Sequence, residues 1–255
     1  VVAAFSLEQL LWSPRTLAMA LVALLPTALV LLFRAAGAAG MEIPFSGLAV
    51  FTLVTATVGF QFVLPLLALV YASGLVTEEV ESGTLSYLVT RPRPRVGLLA
   101  GKMVASFALQ AALFVPSMVI SYYLALAPEG WPAVGAHFKT LAVDALAGLL
   151  GLAAYSGVFV AAGTGLRRPI LLGLGFVFGW EAWVSYVPGL LRQLTLAHYL
   201  RSLVPQQGLS GALSSFLGGP GSRAGAVLAL LLVAAATHGL ALWLFSRKEY
   251  PVRSG

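Results

Sequence analysis

Cysteine is absent from the 255 residues, the acidic residues number nine and the histidines three. The missing thiols exclude disulfides, iron–sulfur clusters and thiolate zinc sites. Three scattered histidines and four isolated methionines give no metal-ligand spacing. Charge of either sign is scarce: charged residues make up 9% of the chain and hydrophobic ones 59%, far from the balance of a soluble domain. The two-residue alternation of an outer-membrane barrel is missing as well. What these absences leave is an all-α, polytopic membrane protein, because backbone groups in lipid must be satisfied within each segment. The net charge of +6 does not point to nucleic acid, since the basic residues gather at the ends of apolar runs.

Two patterns with catalytic overtones fail on their own residues. The stretch 97–103 (GLLAGKM) is one residue short of a phosphate-binding loop, lacks its magnesium-binding hydroxyl and follows no strand. The chain therefore carries no nucleotide-binding motif. Glu78-Glu79 begins the E-E-x-x-x-R pattern of the CAAX-type intramembrane proteases, but Gly83 stands where the arginine is needed. His137 and His198 fall in loops and only His238 in an apolar run. No residue is assigned a catalytic role and no metal site is expected.

The polar residues that do occur are concentrated. Residues 74–102 hold three of the nine acids (Glu78, Glu79, Glu81) and four of the fifteen basic residues (Arg91, Arg93, Arg95, Lys102). The flanking runs 43–77 and 103–128 contain no charge, and each exceeds the roughly 20 residues that cross a hydrocarbon core. The segment is a water-facing loop between two spans. Leu75, Val76 and Val80 give its acidic part an apolar stripe, with Gly83 as a stop, and Pro92 and Pro94 exclude a regular helix from 91 to 95. Run lengths predict six spans in a single domain over 1–255, at about 16–36, 46–73, 102–127, 139–163, 169–187 and 224–245, with the loop at 74–101. The uncharged run 16–33 is long enough to remain as a span rather than be removed as a signal, and Pro26 should kink it. Residues 1–13 read as a modestly amphipathic interfacial helix, 128–138 as a turn-rich loop, and 190–223 as short surface helices and turns.

With the N-terminus inside, ten basic residues face the cytosol: Arg15, Arg91, Arg93, Arg95, Lys102, Arg167, Arg168, Arg247, Lys248 and Arg253. Five face out: Arg34, Lys139, Arg192, Arg201 and Arg223. The bias predicts both termini and the 74–101 loop on the cytosolic side.

The ordered pattern Glu81, Gly83, Thr84, Leu85, Leu88, Thr90, Pro92, Leu98, Gly101, Lys102 resembles the membrane subunits of type-2 ABC transporters. The resemblance implies a coupling helix around 77–82 that docks on a separate ATP-binding subunit, with Glu78, Glu79, Glu81, Gly83, Thr84 and Leu85 as coupling positions. Arg91, Arg93, Arg95 and Lys102 would meet lipid phosphates or the ATPase. It further implies two ATP-binding subunits that hold ATP and magnesium, and a second permease copy, identical (a homodimer) or related. Spans one and five would meet at that pair interface, near the G-x-x-x-G of Gly175 and Gly179 and beside Glu181. Short external helices would dip back between spans five and six, and the cell membrane is the expected location. Export of a substrate is the implied activity. A membrane scaffold and a secondary transporter are the alternatives, though no internal repeat of the latter kind is visible between 1–128 and 129–255.

Ionisable residues inside spans are functional suspects by default. Glu181 in span five and His238 in span six qualify. Asp144, nearer the outer end of span four, could snorkel or pair with Lys139; the bland alternative for Glu181, His238 and Asp144 is an interhelical hydrogen bond that fixes packing, and it is the favoured reading for Asp144 and His238.

Overall fold

The computed structural model of the chain describes residues 13–42, 44–81, 95–166, 168–185, 187, 190–205 and 222–247. Every regular element among them is helical. The interfacial helix expected at 1–13 and most of the 208–222 segment lie outside the described residues.

The first apolar rod is built of α1 (Pro14–Ala23) and α2 (Leu25–Ala38). Ser13 caps it by accepting the Arg15 N–H, and Pro14 occupies the first helical position, where a missing N–H has no partner to lose. The break falls at Leu24, because Pro26 has no N–H to offer the carbonyl four residues earlier. Hydroxyls of Ser117 and Ser121, from a helix later in the chain, stitch this break. Ser117 Oγ donates to the Ala23 carbonyl, Thr27 Oγ1 donates to the Ser117 carbonyl at 3.1 Å, and Ser121 Oγ lies 3.0 Å from Thr27 Oγ1. Backbone groups around a proline kink are thereby satisfied where no water is present to do so.

The second rod is α3 (Gly47–Val54), a π-helical stretch (Thr55–Val63) and α4 (Leu64–Glu81). The wide turn has a local cause. Pro65 cannot donate to the Gln61 carbonyl, and Leu64 N–H reaches back five residues to the Gly59 carbonyl. At the rod's start Gly47 touches the third rod, α5 (Arg95–Leu126): a Cβ on Gly47 would sit 2.2 Å from the Ala125 carbonyl oxygen. The Glu129 carboxylate accepts the Gly47 N–H and Ser46 Oγ that of Ala49, so the start of α3 is doubly capped.

A 3₁₀ turn (Ala127–Glu129) and α6 (Trp131–Ala136) occupy the connection expected to be a turn-rich loop. Pro132 sits in the first turn of α6, where proline is compatible with a helix. Next comes α7 (Phe138–Gly165), the centre of the packing. Four of its glycines let neighbouring helices approach: Phe114 at Gly148, Leu200 and Leu64 at Gly151, Thr237 and His238 at Gly157, and the Ser73 carbonyl at Gly163. Small residues on more than one face of α7 give such close contact in a bundle that lacks a hydrophobic driving force between helices.

The fifth rod is short. α8 (Pro169–Leu174), a second π-helical stretch (Gly175–Glu181) and α9 (Ala182–Val184) form an apolar helix 16 residues long, about 24 Å, against a core of about 30 Å. A 3₁₀ turn (Leu190–Leu194) and α10 (Leu196–Leu203) follow. Leu200 of α10 seats against Gly151 of α7 and Leu64 of α4, so the chain folds back to the depth of the bundle interior. The last rod, α11 (Arg223–Arg247), rests on α7 and leaves Leu228, Leu231, Leu232, Leu240 and Trp243 exposed. Among the described residues five helices are long and apolar enough to cross a membrane, and Pro169–Val184 is a shorter apolar one.

Candidate functional site

The polar groups of the interior converge where the two π-helical stretches face α7 and α10. Glu181, the last residue of the second stretch, is 1% exposed. Its Oε1 accepts the Leu196 N–H at 2.9 Å, and its Oε2 accepts the Ala197 N–H and the Tyr155 hydroxyl, each at 3.0 Å. Thr195 Oγ1 accepts the His198 N–H at 3.3 Å. The first three amides of α10 are thus all occupied, and the carboxylate faces the positive end of the helix dipole.

Gln61, in the first π-stretch, extends the network. Its Nε2 donates to the Glu181 carbonyl at 3.3 Å and to Ser185 Oγ at 3.2 Å. Arg201 Nη2, from the far end of α10, donates to Gln61 Oε1 and to Ser185 Oγ, the latter at 2.7 Å. Side chains of the second rod, α7, the fifth rod and α10 are therefore tied by one buried constellation. The arrangement is that of a structural clasp. Its acid and guanidinium are both engaged with amides and hydroxyls, and among the described residues no group of three metal-ligating side chains exists.

Sequence reasoning singled out Glu181 but missed Tyr155, Ser185 and Arg201 as its associates. Arg201 corrects the topology count. It is 2% exposed and held inside the network, so it is not an outward-facing loop cation. Without it the expected count becomes four against ten, and the expected bias keeps its sign. Asp144 is a second correction. It is 0% exposed with Lys139 exposed, and neither of its carboxylate oxygens has a hydrogen-bond partner among the described residues. Five residues of helix place Lys139 and Asp144 about 140° apart, on different faces. His238 is half-buried, with Nδ1 2.8 Å from the Ala234 carbonyl of its own helix and its ring against Gly157. Gly175 and Gly179 are exposed, and a Cβ at either meets nothing within 4 Å.

At the opposite end of α4 the helix backbone continues past the apolar span, which ends at Leu75, through Glu78 and Glu79 to Glu81. Six further residues add about 9 Å of helix. Gly83, Thr84, Leu85, Arg91 and Arg93 lie outside the described residues. Arg95 opens the backbone of α5, and Lys102 lies on that helix, part-exposed. Tyr71 donates its hydroxyl to Thr16 Oγ1 at 3.1 Å, which joins this end of the second rod to the start of the first.

Residues 13–178 match the family of ABC-2 family transporter proteins, well over half of the chain. The chain belongs to that family. It is thus a multi-pass membrane protein of the transport subunit kind. The match runs from the cap of α1 into the second π-stretch and ends three residues before Glu181. No curated protein matches the chain.

Proposed function

We propose that the chain is the permease subunit of an ABC-2 exporter with six spans and both termini in the cytosol of a cell-membrane protein. Two ATP-binding subunits carry ATP and magnesium, and two permease copies, identical or related, form the pathway. Glu78, Glu79, Glu81, Gly83, Thr84 and Leu85 serve as the coupling surface, and Arg91, Arg93, Arg95 and Lys102 meet the ATPase or lipid phosphates.

The observation that carries this reading is the unbroken helix from Leu64 to Glu81. Gln61 adjoins its start, and Glu78 lies 17 residues, about 26 Å, further on. A push on the acidic end therefore reaches the Gln61–Glu181–Arg201 network along a stiff rod. The π-stretch at Thr55–Val63, with one residue too many per turn, is the place for the rod to repack between two states. The open face at Gly175 and Gly179, flanked by exposed Leu171, Leu172 and Phe178, supports the pair interface.

The chain has no cysteine, so a single Glu79→Cys is a unique attachment point. A short bifunctional cross-linker from that position is expected to capture the ATP-binding subunit in membranes, and to do so in a nucleotide-dependent manner. Absence of capture from position 79, with capture from a control position on the opposite membrane side, would overturn the reading.

A further inference from the structure

The last rod lies along α7. Gly157 of α7 rests against Thr237 and His238 of α11, and Gly165, eight residues on, is nearest to Leu244, seven residues on. The two helices therefore run parallel and in step. Arg168 stands three residues past Gly165, in the turn that leads into α8, and Arg247 three residues past Leu244, in the last turn of α11. Both arginines are exposed. The Arg247 guanidinium lies over the Trp243 ring, 4.7 Å from its centre. That stacking fixes the cation in place and leaves its N–H groups as donors.

Depth and charge point to the occupant. Arg223 to Arg247 spans 24 residues of helix, about 36 Å, against a hydrocarbon core of about 30 Å. The two end arginines hence lie just outside the hydrocarbon, on opposite sides. Trp243 sits one turn further in, half exposed, at the interfacial depth that indoles favour. Below it Leu240, Leu232 and Leu228 are exposed. At 100° per residue these four side chains and Arg247 fall within about 120° of one another, so the stripe that meets acyl chains ends in the cation. The described carboxylates stand elsewhere. Glu42 and Glu129 belong to the opposite boundary, where α3 begins, Asp144 lies near the start of α7, and Glu181 is held in the clasp. The acid-bearing end of α4 shares the boundary of Arg247, but α4 meets α7 at Gly163 and α11 meets it at Gly157. Six residues of helix turn those faces about 120° apart, which puts the axes of α4 and α11 roughly 15 Å from each other, beyond the screening length of about 8 Å.

We infer that Arg247 on its Trp243 platform, together with Arg168, binds the headgroup of an anionic phospholipid whose acyl chains lie along Leu240 and Leu232. Two guanidiniums at phosphate depth match a phosphodiester that carries net negative charge. A soluble anion would use the arginines alone, whereas a lipid also covers the indole and the apolar stripe below it. The site shares no residue with the clasp and does not depend on the coupling reading.

The test uses the full chain in phosphatidylcholine nanodiscs doped with photoactivatable phosphatidylglycerol or, in parallel, photoactivatable phosphatidylcholine, and maps labelled peptides by mass spectrometry. Phosphatidylglycerol should label residues 239–247 several times more than phosphatidylcholine does. Arg247→Gln should reduce its labelling roughly fivefold, the worth of one basic group near a lipid surface, and Arg168→Gln by a similar factor. Arg247→Lys should keep most of it, and Arg223→Gln, at the other end of α11, should leave it unchanged. Excess soluble glycerol phosphate should not compete. Equal labelling by the two lipids, labelling indifferent to Arg247→Gln, or competition by glycerol phosphate would overturn the inference. Loss of labelling when an ATP-binding subunit is added would assign the patch to that subunit and overturn it as well. The comparison of the two lipids on the wild-type chain needs no variant, so it decides even where a substitution lowers melting.

Discussion

The Glu181 Oε1 atom lies 2.9 Å from the amide nitrogen of Leu196, the first residue of α10. A carboxylate from the fifth rod thus closes the start of a helix that folds back into the bundle. Glu181→Ala leaves the Leu196 and Ala197 amides and the Tyr155 hydroxyl without their acceptor. Each orphaned buried group costs about 1–3 kcal/mol. The expected result is a melting temperature lowered by several degrees in detergent, with Glu181→Gln much milder because the amide keeps one acceptor. Tyr155→Phe removes a single bond and should cost about 0.6–1 kcal/mol, the usual range for polar contacts in membrane bundles. Equal melting for wild type and Glu181→Ala would contradict the clasp.

Glycine contacts separate into two kinds. At Gly47 and Gly163 an added Cβ would meet backbone, the Ala125 carbonyl oxygen at 2.2 Å and the Ser73 carbonyl oxygen at 2.5 Å. At Gly173 the nearest atom is the tip of Leu69, a side chain that can turn away. Gly163→Ala and Gly47→Ala should therefore lose more stability than Gly173→Ala. Thermal unfolding of the three purified variants checks the order, and a reversed order would mean that the rods do not meet through backbone.

Gly175 and Gly179 present the opposite case, since nothing lies within 4 Å of an added Cβ at either. Gly175→Leu/Gly179→Leu should leave the melting of the single subunit unchanged while weakening pairing. Cross-linking in membranes and mass determination in mild detergent read the two effects separately. Unchanged pairing would remove these glycines from the interface.

Asp144 is enclosed with no hydrogen-bond partner for either oxygen among the described residues. Replacing a carboxyl that has no hydrogen-bond partner by an amide of the same shape breaks no hydrogen bond that the structure shows. Asp144→Asn is expected to melt at the wild-type temperature or above it. A drop of several degrees would show that the carboxylate holds a partner of its own.

Five long apolar helices were legible because apolar run length is a direct consequence of bilayer thickness, and the kink near Pro26 because a proline lacks a donor. The site was legible only in part. Glu181 stood out as an acid in an apolar run, but Tyr155, in a rod rich in alanine and glycine, reads as ordinary packing. Arg201 reads as a loop cation until α10 is seen to turn back against Gly151 and Leu64. The π-stretches leave little trace in residue types: Pro65 and Gly59 permit the first, yet the same pair fits a simple kink. The helix Trp131–Ala136 was hidden by Gly135 and Pro132, residues that usually mark turns.

The most direct test of the central claim is ATP hydrolysis in lipid by the complex of this chain with an ATP-binding subunit, wild type against Glu78→Lys/Glu81→Lys. A stable wild-type complex that hydrolyses ATP, with the double variant either failing to assemble or hydrolysing without coupling to transport, is the expected outcome. A chain that binds no ATP-binding subunit, or a charge reversal that alters neither assembly nor coupling, would contradict it.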